Sequence, residues 1–182
     1  MKIAVIDTET NWEDQVRSIG VIAADGETFA PVDGKYYILT PEIHRGGMYE
    51  SVLFTQAQGT LCSRKAAMED LHRWLDSLNI TRLYAYNAAF DCKHLTELSR
   101  YAWFDIMRLA AYRQFNPCIP DCADCFRTGR LKRNYGVEPI TRLLTGDLCY
   151  CETHNAYQDA LDELQIMRFL GQPLQAYEVG RL

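Results

Sequence analysis

The chain has 182 residues, of which 48% are hydrophobic and 24% charged, a balance typical of a globular domain with a sizeable core. No apolar run approaches the roughly 20 residues of a membrane span, and the net charge of −5 argues mildly against a protein that attracts nucleic acid through a general basic surface. We expect a single domain over 1–182, and a cytoplasmic protein, since the first predicted strand leaves no room for a signal peptide.

Three strands are predicted at the start of the chain, over 2–8, 18–24 and 35–39. Residues 3–6 are continuously apolar, as in a strand buried on both faces. Asp25 and Gly26 mark a turn after the second strand. These strands predict an antiparallel meander. Residues 42–62 show little periodicity, which predicts a loop with one helical turn.

Helices and strands alternate in the rest of the chain. We predict helices over 63–78, 92–100, 106–115, 135–144 and 155–170, and short strands over 83–86 and 103–105. Asn155 and Gln158 have the spacing of an N-terminal capping pair, and Gly171 marks the end of the last helix. Three strands followed by alternating helices and strands indicate an α/β fold, a mixed sheet with helices packed on it.

Two acids follow the first apolar run, in the stretch VIDTET at residues 5–10. Side chains two positions apart in a strand project from the same face, so Asp7 and Glu9 are predicted to lie side by side. Their charges repel each other unless a cation lies between them, and a divalent metal is the natural candidate.

Two later stretches place polar groups at the ends of predicted elements. Asp91 lies where a helix begins, and Asp159 lies in the first turn of the last helix, with His154 on the loop before it. Taken singly, each residue has a simpler explanation: Asp91 would cap its helix, Asp159 would complement the helix dipole, and His154 would be a solvated loop residue. Together, four acids and a histidine suit metal-assisted phosphodiester hydrolysis, with the histidine taking a proton from water.

These stretches resemble the three motifs of the DEDDh 3′–5′ exonucleases, a family of the ribonuclease-H-like superfamily. The first motif, an apolar strand ending in Asp-x-Glu, is matched by VIDTET. The second, a strand followed by Asn and a Phe-Asp pair, is matched by YNAAFD. The third has Asp five positions after His and is matched by HNAYQDA. Asn155 stands where a sister class has tyrosine, which indicates the histidine class.

The resemblance implies a ribonuclease-H-like sheet, in which parallel strands follow three antiparallel ones, and two bound Mg²⁺ or Mn²⁺ ions. The implied metal ligands are Asp7, Glu9, Asp91 and Asp159. His154 would be the general base and complete the catalytic set. The implied substrate-binding residues are Thr8, Thr10, Asn87 and Phe90.

The implied substrate is the 3′ end of a single-stranded nucleic acid, or a short oligonucleotide, from which nucleoside 5′-monophosphates are released. Some family members are homodimers, so the resemblance allows this chain to be either a monomer or a homodimer. The chain departs from the family at Trp12, where glycine is frequent, and at Tyr86, where histidine is frequent. Trp12 either stacks on a base or packs against the protein.

A cysteine-rich loop or insertion is predicted over about 116–130. Its three thiols, with a fourth from Cys149 or Cys151, could hold a structural zinc, the candidate ligands being Cys118, Cys122, Cys125 and Cys151. The spacing is not that of a standard zinc site, so reduced thiols are the favoured interpretation. A basic cluster follows and either contacts phosphate or is a solvated surface; it comprises Arg127, Arg130, Lys132 and Arg133.

The sequence therefore predicts a metal-dependent 3′–5′ exonuclease that hydrolyses the phosphodiester bonds of DNA or RNA. Two alternatives remain open. One is a catalytically inactive nucleic-acid-binding module, and the other is a zinc-stabilised interaction domain that works through the cysteine loop. Asp105 follows two aromatic residues and is predicted either to support the site or to cap a helix.

Overall fold

The computed structural model describes residues 1–55 and 57–182, and its strands form one six-stranded mixed sheet in the order β4-β3-β2-β1-β5-β6. The strands are β1 (Lys2–Thr10), β2 (Val16–Asp25), β3 (Pro31–Leu39), β4 (Thr60–Cys62), β5 (Arg82–Ala85) and β6 (Ala102–Asp105). Strands β1, β2 and β3 pair antiparallel, while β5 pairs parallel with β1 and with β6. The predicted meander and the parallel strands after it are confirmed.

The segment expected to be a loop contains more structure than predicted. It holds two short 3₁₀ helices, Glu42–Arg45 and Glu50–Val52, and it ends in β4, which pairs parallel with β3. Strand β4 has only three residues, too few for an alternating pattern to be recognised in the sequence.

In the described part of the chain, five α-helices flank the sheet: α1 (Arg64–Ser77), α2 (Ala89–His94), α3 (Met107–Ala110), α4 (Val137–Thr145) and α5 (Ala156–Leu170). The helix predicted over 92–100 is instead α2, which begins three residues earlier, followed by the 3₁₀ helix Thr96–Leu98. The helix predicted over 106–115 shortens to α3, because the buried Asn116 amide donates to the Ala110 carbonyl oxygen (2.7 Å) and the chain turns away.

The two faces of the sheet are covered by different helices. Ala4 and Ile6 of β1 pack in a cluster with α1, whereas Ile3 and Val5 pack in a cluster with α4 and α5. Each fully buried isoleucine or valine side chain among them contributes about 1.5–3 kcal/mol. Because faces alternate along a strand, the odd-numbered residues of β1 continue toward α5.

The N-terminus of α5 lies directly on the sheet at Gly20. A Cβ atom at this position would fall 2.1 Å from the Ala156 carbonyl oxygen, so no side chain fits there. Gly20 pairs with Asp7 across β1 and β2. The close approach therefore brings the start of α5 next to the acidic end of β1.

The cysteine-rich segment connects α3 to α4 without forming a named strand. Isolated bridges join Tyr112 to Arg130 and Cys125 to Leu131, and these fold the segment back on itself. Among the described residues, no helix has the length and apolar character needed to cross a membrane.

Candidate active site

Strand β1 presents Asp7 and Glu9 toward α5. They pair with Gly20 and Ser18 of β2, and the register shifts between Glu9 and Thr10. One carboxylate oxygen of Asp7, Oδ2, is buried and has no hydrogen-bond partner among the described residues. An ionised oxygen in that situation is costly unless something positive approaches it.

Asp91 reaches the same region from α2. It is 2% exposed, and its Oδ1 accepts a hydrogen bond from the Thr8 hydroxyl at 2.7 Å. The interpretation of Asp91 as a helix cap is wrong: the N-cap is Ala88, which makes no side-chain capping bond, and Asp91 lies in the first turn. Thr8 itself is 5% exposed, so its hydroxyl fixes the direction of the Asp91 carboxylate.

The start of α5 supplies the third group. The Asn155 side chain caps the helix by accepting a hydrogen bond from the Gln158 backbone N–H (3.2 Å), as the spacing predicted. Asp159 lies in the first turn and is 2% exposed, and His154 lies just outside the helix. One ligand atom each from Glu9, His154 and Asp159 all lie within 4.8 Å of one another.

Burial and mutual repulsion raise the pKa values of these acids. Burial raises the pKa of Asp7 well above its usual range, and the charges of Glu163, Asp91, Asp159 and Glu9 add to the effect. Burial raises the pKa of Asp91 to about 7, although the Thr8 hydrogen bond opposes the shift. Burial, with Glu152 and Glu9, raises the pKa of Asp159 to about 8.

Glu9 has an arginine neighbour. Burial raises its pKa to about 7, while the nearby charge of Arg17 lowers it. Arg17 is fully buried, and its Nε and Nη1 atoms have no hydrogen-bond partner among the described residues. The site as a whole holds more acidic than basic groups in a buried environment, and such an environment favours the binding of a hard divalent cation.

Two further acids belong to this region and were missed in the sequence. Glu163 lies one turn after Asp159 on α5, is 2% exposed, and has an unpartnered Oε2; burial and then Asp91 raise its pKa well above the usual range. Burial also raises the pKa of Glu152, before α5, to about 6. The sequence did contain a signal for Glu163. It lies four positions after Asp159, so the two acids share one face of the helix, and its neighbours Ala160 and Leu164 are apolar.

The turn between β5 and α2 is held by Asp105. One of its carboxylate oxygens accepts hydrogen bonds from the backbone N–H groups of Asn87 and Met107, both at 3.0 Å. Asp105 therefore serves both predicted purposes, since it supports the turn that carries Asn87 and binds the start of α3. Asn87 has a left-handed φ of 61°.

The remaining predicted substrate-binding residues lie at the surface beside these acids. Asn87 and Phe90 are exposed, and Thr10 is half-buried. Trp12 is 68% exposed and lies against Gly46, so it packs over part of its surface, and its stacking on a base stays a prediction. Tyr86 is buried and donates a hydrogen bond to the Tyr135 carbonyl oxygen.

The predicted zinc ligands do not converge. Glu9, His154 and Asp159 form the only three-residue group at metal-ligand spacing found among the described residues, and every cysteine is free. The zinc set Cys118, Cys122, Cys125 and Cys151 is therefore not assembled by this fold. Instead, the Cys125 thiol accepts a hydrogen bond from Arg113 (3.6 Å), and the Cys151 thiol accepts one from Arg142 (3.7 Å).

The basic cluster after the cysteine loop is partly neutralised. Lys132 and Arg133 both approach Asp124, at 2.8 and 3.9 Å, and Arg130 lies over the rings of Phe126 and Tyr135. The ion pairs with Asp124 reduce the positive charge available for phosphate, and they favour the interpretation of this cluster as a solvated surface.

Comparison with solved structures identifies the fold. No family model matches the sequence, and no curated protein matches it. The nuclease domain of 3′hExo, described as a DEDDh family member bound to rAMP, superimposes with a TM-score of 0.63 at 16% identity, over 96% of this chain and 92% of that one. A full-length 3′-exonuclease gives a TM-score of 0.64 at 15% identity, over 96% of this chain and 82% of that one.

Exonuclease I of E. coli is similar over part of its length. Its complex with a dT13 oligonucleotide superimposes with a TM-score of 0.63 at 14% identity, over 96% of this chain and 42% of that one. The chain thus spans about two fifths of exonuclease I. These likenesses show that the chain has the ribonuclease-H-like fold of the DEDDh exonucleases, which confirms the predicted fold class.

Proposed function

We propose that the chain is a metal-dependent 3′–5′ exonuclease that acts in the cytoplasm on the 3′ end of single-stranded DNA or RNA, or on short oligonucleotides, and releases nucleoside 5′-monophosphates. The observation that carries the proposal is the approach of Glu9, His154 and Asp159 to within 4.8 Å, next to the half-buried Asp7 and the buried Asp91, on this fold. The rAMP bound to the 3′hExo domain and the oligonucleotide bound to exonuclease I support the proposed substrate class.

The acids fit two hard divalent ions. Carboxylate oxygens are the donors that Mg²⁺ and Mn²⁺ prefer, and the orphaned Oδ2 of Asp7 is a donor without a partner. The ions would be held by Asp7, Glu9, Asp91 and Asp159. When bound, they would lower the pKa of water and stabilise the leaving oxygen.

His154 is suited to accept the proton from the attacking water. Burial lowers the pKa of His154 below its usual range, so the imidazole is neutral at pH 7 and has a free nitrogen lone pair. The exposed ring of Phe90, with Asn87 and Thr10, would seat the terminal nucleotide by stacking and hydrogen bonding. Thr8 would act through the Asp91 carboxylate that it fixes.

The test uses 5′-labelled single-stranded DNA and RNA oligonucleotides incubated with the purified protein and Mn²⁺, with Asp7→Ala as the control. We expect a ladder that shortens from the 3′ end with the wild-type chain and is absent with Asp7→Ala. Binding without shortening would indicate the inactive binding module. Loss of folding in Cys122→Ser, with zinc in the purified protein and no cleavage, would indicate the zinc-stabilised domain.

A further inference from the structure

A segment between β3 and β4 crosses the start of α5, and we call residues 46–53 the strap. Its C-terminal part is held from the core: the Asn155 amide donates to the Val52 carbonyl oxygen (2.8 Å), and the Tyr36 hydroxyl donates to that of Leu53 (2.8 Å). Asn155 is fully buried and Tyr36 is 4% exposed. This end of the strap is therefore fixed by groups that cannot move independently of the sheet and α5.

The N-terminal part of the strap is held by Arg17. The guanidinium of this fully buried arginine donates to the Met48 carbonyl oxygen. It also lies directly beneath Gly47, where an added Cβ would fall 2.4 Å from Arg17 Nη1. The part of the strap between Met48 and Val52 is thus fixed at both ends, and it contains Tyr49.

The ring of Tyr49 lies on the imidazole of His154. The ring centroids are 3.8 Å apart and the planes differ by 17°, which is a stacked arrangement. Both residues have left-handed backbone conformations, with φ of 58° for Tyr49 and 56° for His154. Non-glycine residues rarely adopt this conformation, so each backbone is constrained to present its ring to the other.

The His154 ring makes no hydrogen bond to protein within the described part of the chain. A histidine that acts as a base is commonly oriented by a carboxylate or carbonyl that accepts a proton from its second nitrogen. His154 lies on an irregular loop, where its side chain would otherwise turn freely. The stacked Tyr49 ring is the contact that replaces the missing hydrogen bond.

We propose that Tyr49 is a positioning residue that holds the His154 imidazole in the orientation in which it takes a proton from water. The inference rests on the proposed exonuclease function. It also gives the strap a specific role. Arg17, Asn155 and Tyr36 fix its backbone, and the fixed Tyr49 ring restricts the rotation of the His154 imidazole.

The test is steady-state kinetics on a labelled oligonucleotide with saturating Mn²⁺, for Tyr49→Ala, Tyr49→Phe and the control Phe54→Ala. Phe54 lies just beyond the strap and is 65% exposed. We expect Tyr49→Ala to lower kcat about tenfold, which is less than the roughly 10²–10⁴-fold rate acceleration that a general base contributes. KM should stay within about twofold of wild type. Tyr49→Phe keeps the stacked ring and should restore kcat, and Phe54→Ala should match wild type.

The same substitution in a His154→Ala background separates positioning from other roles. Since Tyr49 acts through His154, Tyr49→Ala should cause no further loss there. An unchanged kcat in Tyr49→Ala, a rise in KM alone, or an equal loss in both backgrounds would overturn the proposal. Inactivity of the wild-type chain itself would instead overturn the exonuclease assignment, so the two failures are distinguishable.

Discussion

Asp70 and Asp159 are aspartates on helices that cover opposite faces of one sheet, but their hydrogen-bond partners and pKa values differ. Asp70 on α1 accepts hydrogen bonds from the Lys35 ammonium (2.9 Å) and the Tyr37 hydroxyl (2.8 Å), which lower its pKa. Asp159 on α5 accepts one long bond from Thr153 (3.4 Å), and its pKa rises to about 8. One carboxylate is matched by donors and the other is surrounded by acids.

The difference extends to the neighbours of each residue. On the α1 side, Asp33 accepts a hydrogen bond from the Trp74 indole (2.9 Å), and its pKa is lowered. On the α5 side, Asp7 and Glu163 each have a buried carboxylate oxygen without a partner. Folding stability explains the first arrangement but not the second, because unpaired buried acids destabilise a fold. The second arrangement is the one expected of the proposed metal site, where a cation would offset the unpaired acids.

The largest expected effect comes from exchanging each aspartate of this comparison for asparagine. Asp159→Asn keeps the side-chain shape and removes a metal ligand, so exonuclease activity should fall to the background of the assay. The same change removes charge repulsion, and the metal-free variant should be more stable than the metal-free wild type by at least about 1 kcal/mol. Activity assays and urea unfolding in EDTA measure the two effects.

The matched variant Asp70→Asn should give the opposite result in both measurements. It removes an ion pair at the surface and should cost about 1 kcal/mol of stability, while activity stays at the wild-type level. If Asp70→Asn abolished activity, or if Asp159→Asn retained it, the distinction between the two faces would be wrong.

A smaller effect is expected from Glu163→Gln. This substitution removes one negative charge beside Asp7 without altering the packing of α5. Because groups behind a metal site typically tune affinity by about 10–100-fold, the Mn²⁺ concentration for half-maximal activity should rise about tenfold, with kcat at saturating Mn²⁺ near wild type. Glu97→Gln is the control, since Glu97 pairs with Arg64 (2.7 Å). An unchanged Mn²⁺ requirement in Glu163→Gln would remove Glu163 from the site.

A further effect is a pH dependence of the metal-free protein. The folded-state pKa values of Glu9, Asp91 and Asp159 are about 7, 7 and 8, whereas unfolded carboxyls titrate near about 4. Between these values the folded protein holds more protons than the unfolded chain, so stability falls as pH rises. In EDTA, we expect Tm to decrease from pH 6 to pH 9, and Mn²⁺ to restore it at pH 8.

Asp159→Asn should make this decrease shallower, because one of the titrating groups is removed. Glu152 and Asp162, which face Asp159, also have raised pKa values and act in the same direction. A Tm that is constant or rises from pH 6 to pH 9 in EDTA would show that the acids are not crowded as described.

The sequence predicted the antiparallel meander and the long helices because their signals are local. Continuous apolar residues mark β1, and the Asn155 cap and Gly171 bound α5. The motifs placed Asp7, Glu9, Asp91, Asp159 and His154 at the ends of elements, and the sheet then brought those ends together. The early end of α3 was not predicted, because it depends on a side-chain hydrogen bond from Asn116 to Ala110 that helical periodicity does not reveal.

Other features depend on contacts between distant residues, and their local patterns were weak or misleading. Glu163 resembles any polar residue of an amphipathic helix until the packing of α5 buries it. Tyr49 meets His154 across about a hundred residues of sequence, within a segment that was predicted to be largely a loop. The cysteines offered candidate zinc ligands, although reduced thiols were the favoured interpretation. In the structure, Cys125 and Cys151 accept hydrogen bonds from Arg113 and Arg142.

The most direct measurement is Mn²⁺ binding by calorimetry to the wild-type chain, Asp159→Asn and Asp70→Asn at pH 7.5. We expect the wild-type chain and Asp70→Asn to bind Mn²⁺ alike, and Asp159→Asn to lose binding while it remains folded. Equal binding by all three proteins, or none by the wild type, would contradict the claim that the unpaired acids beside α5 form a metal site.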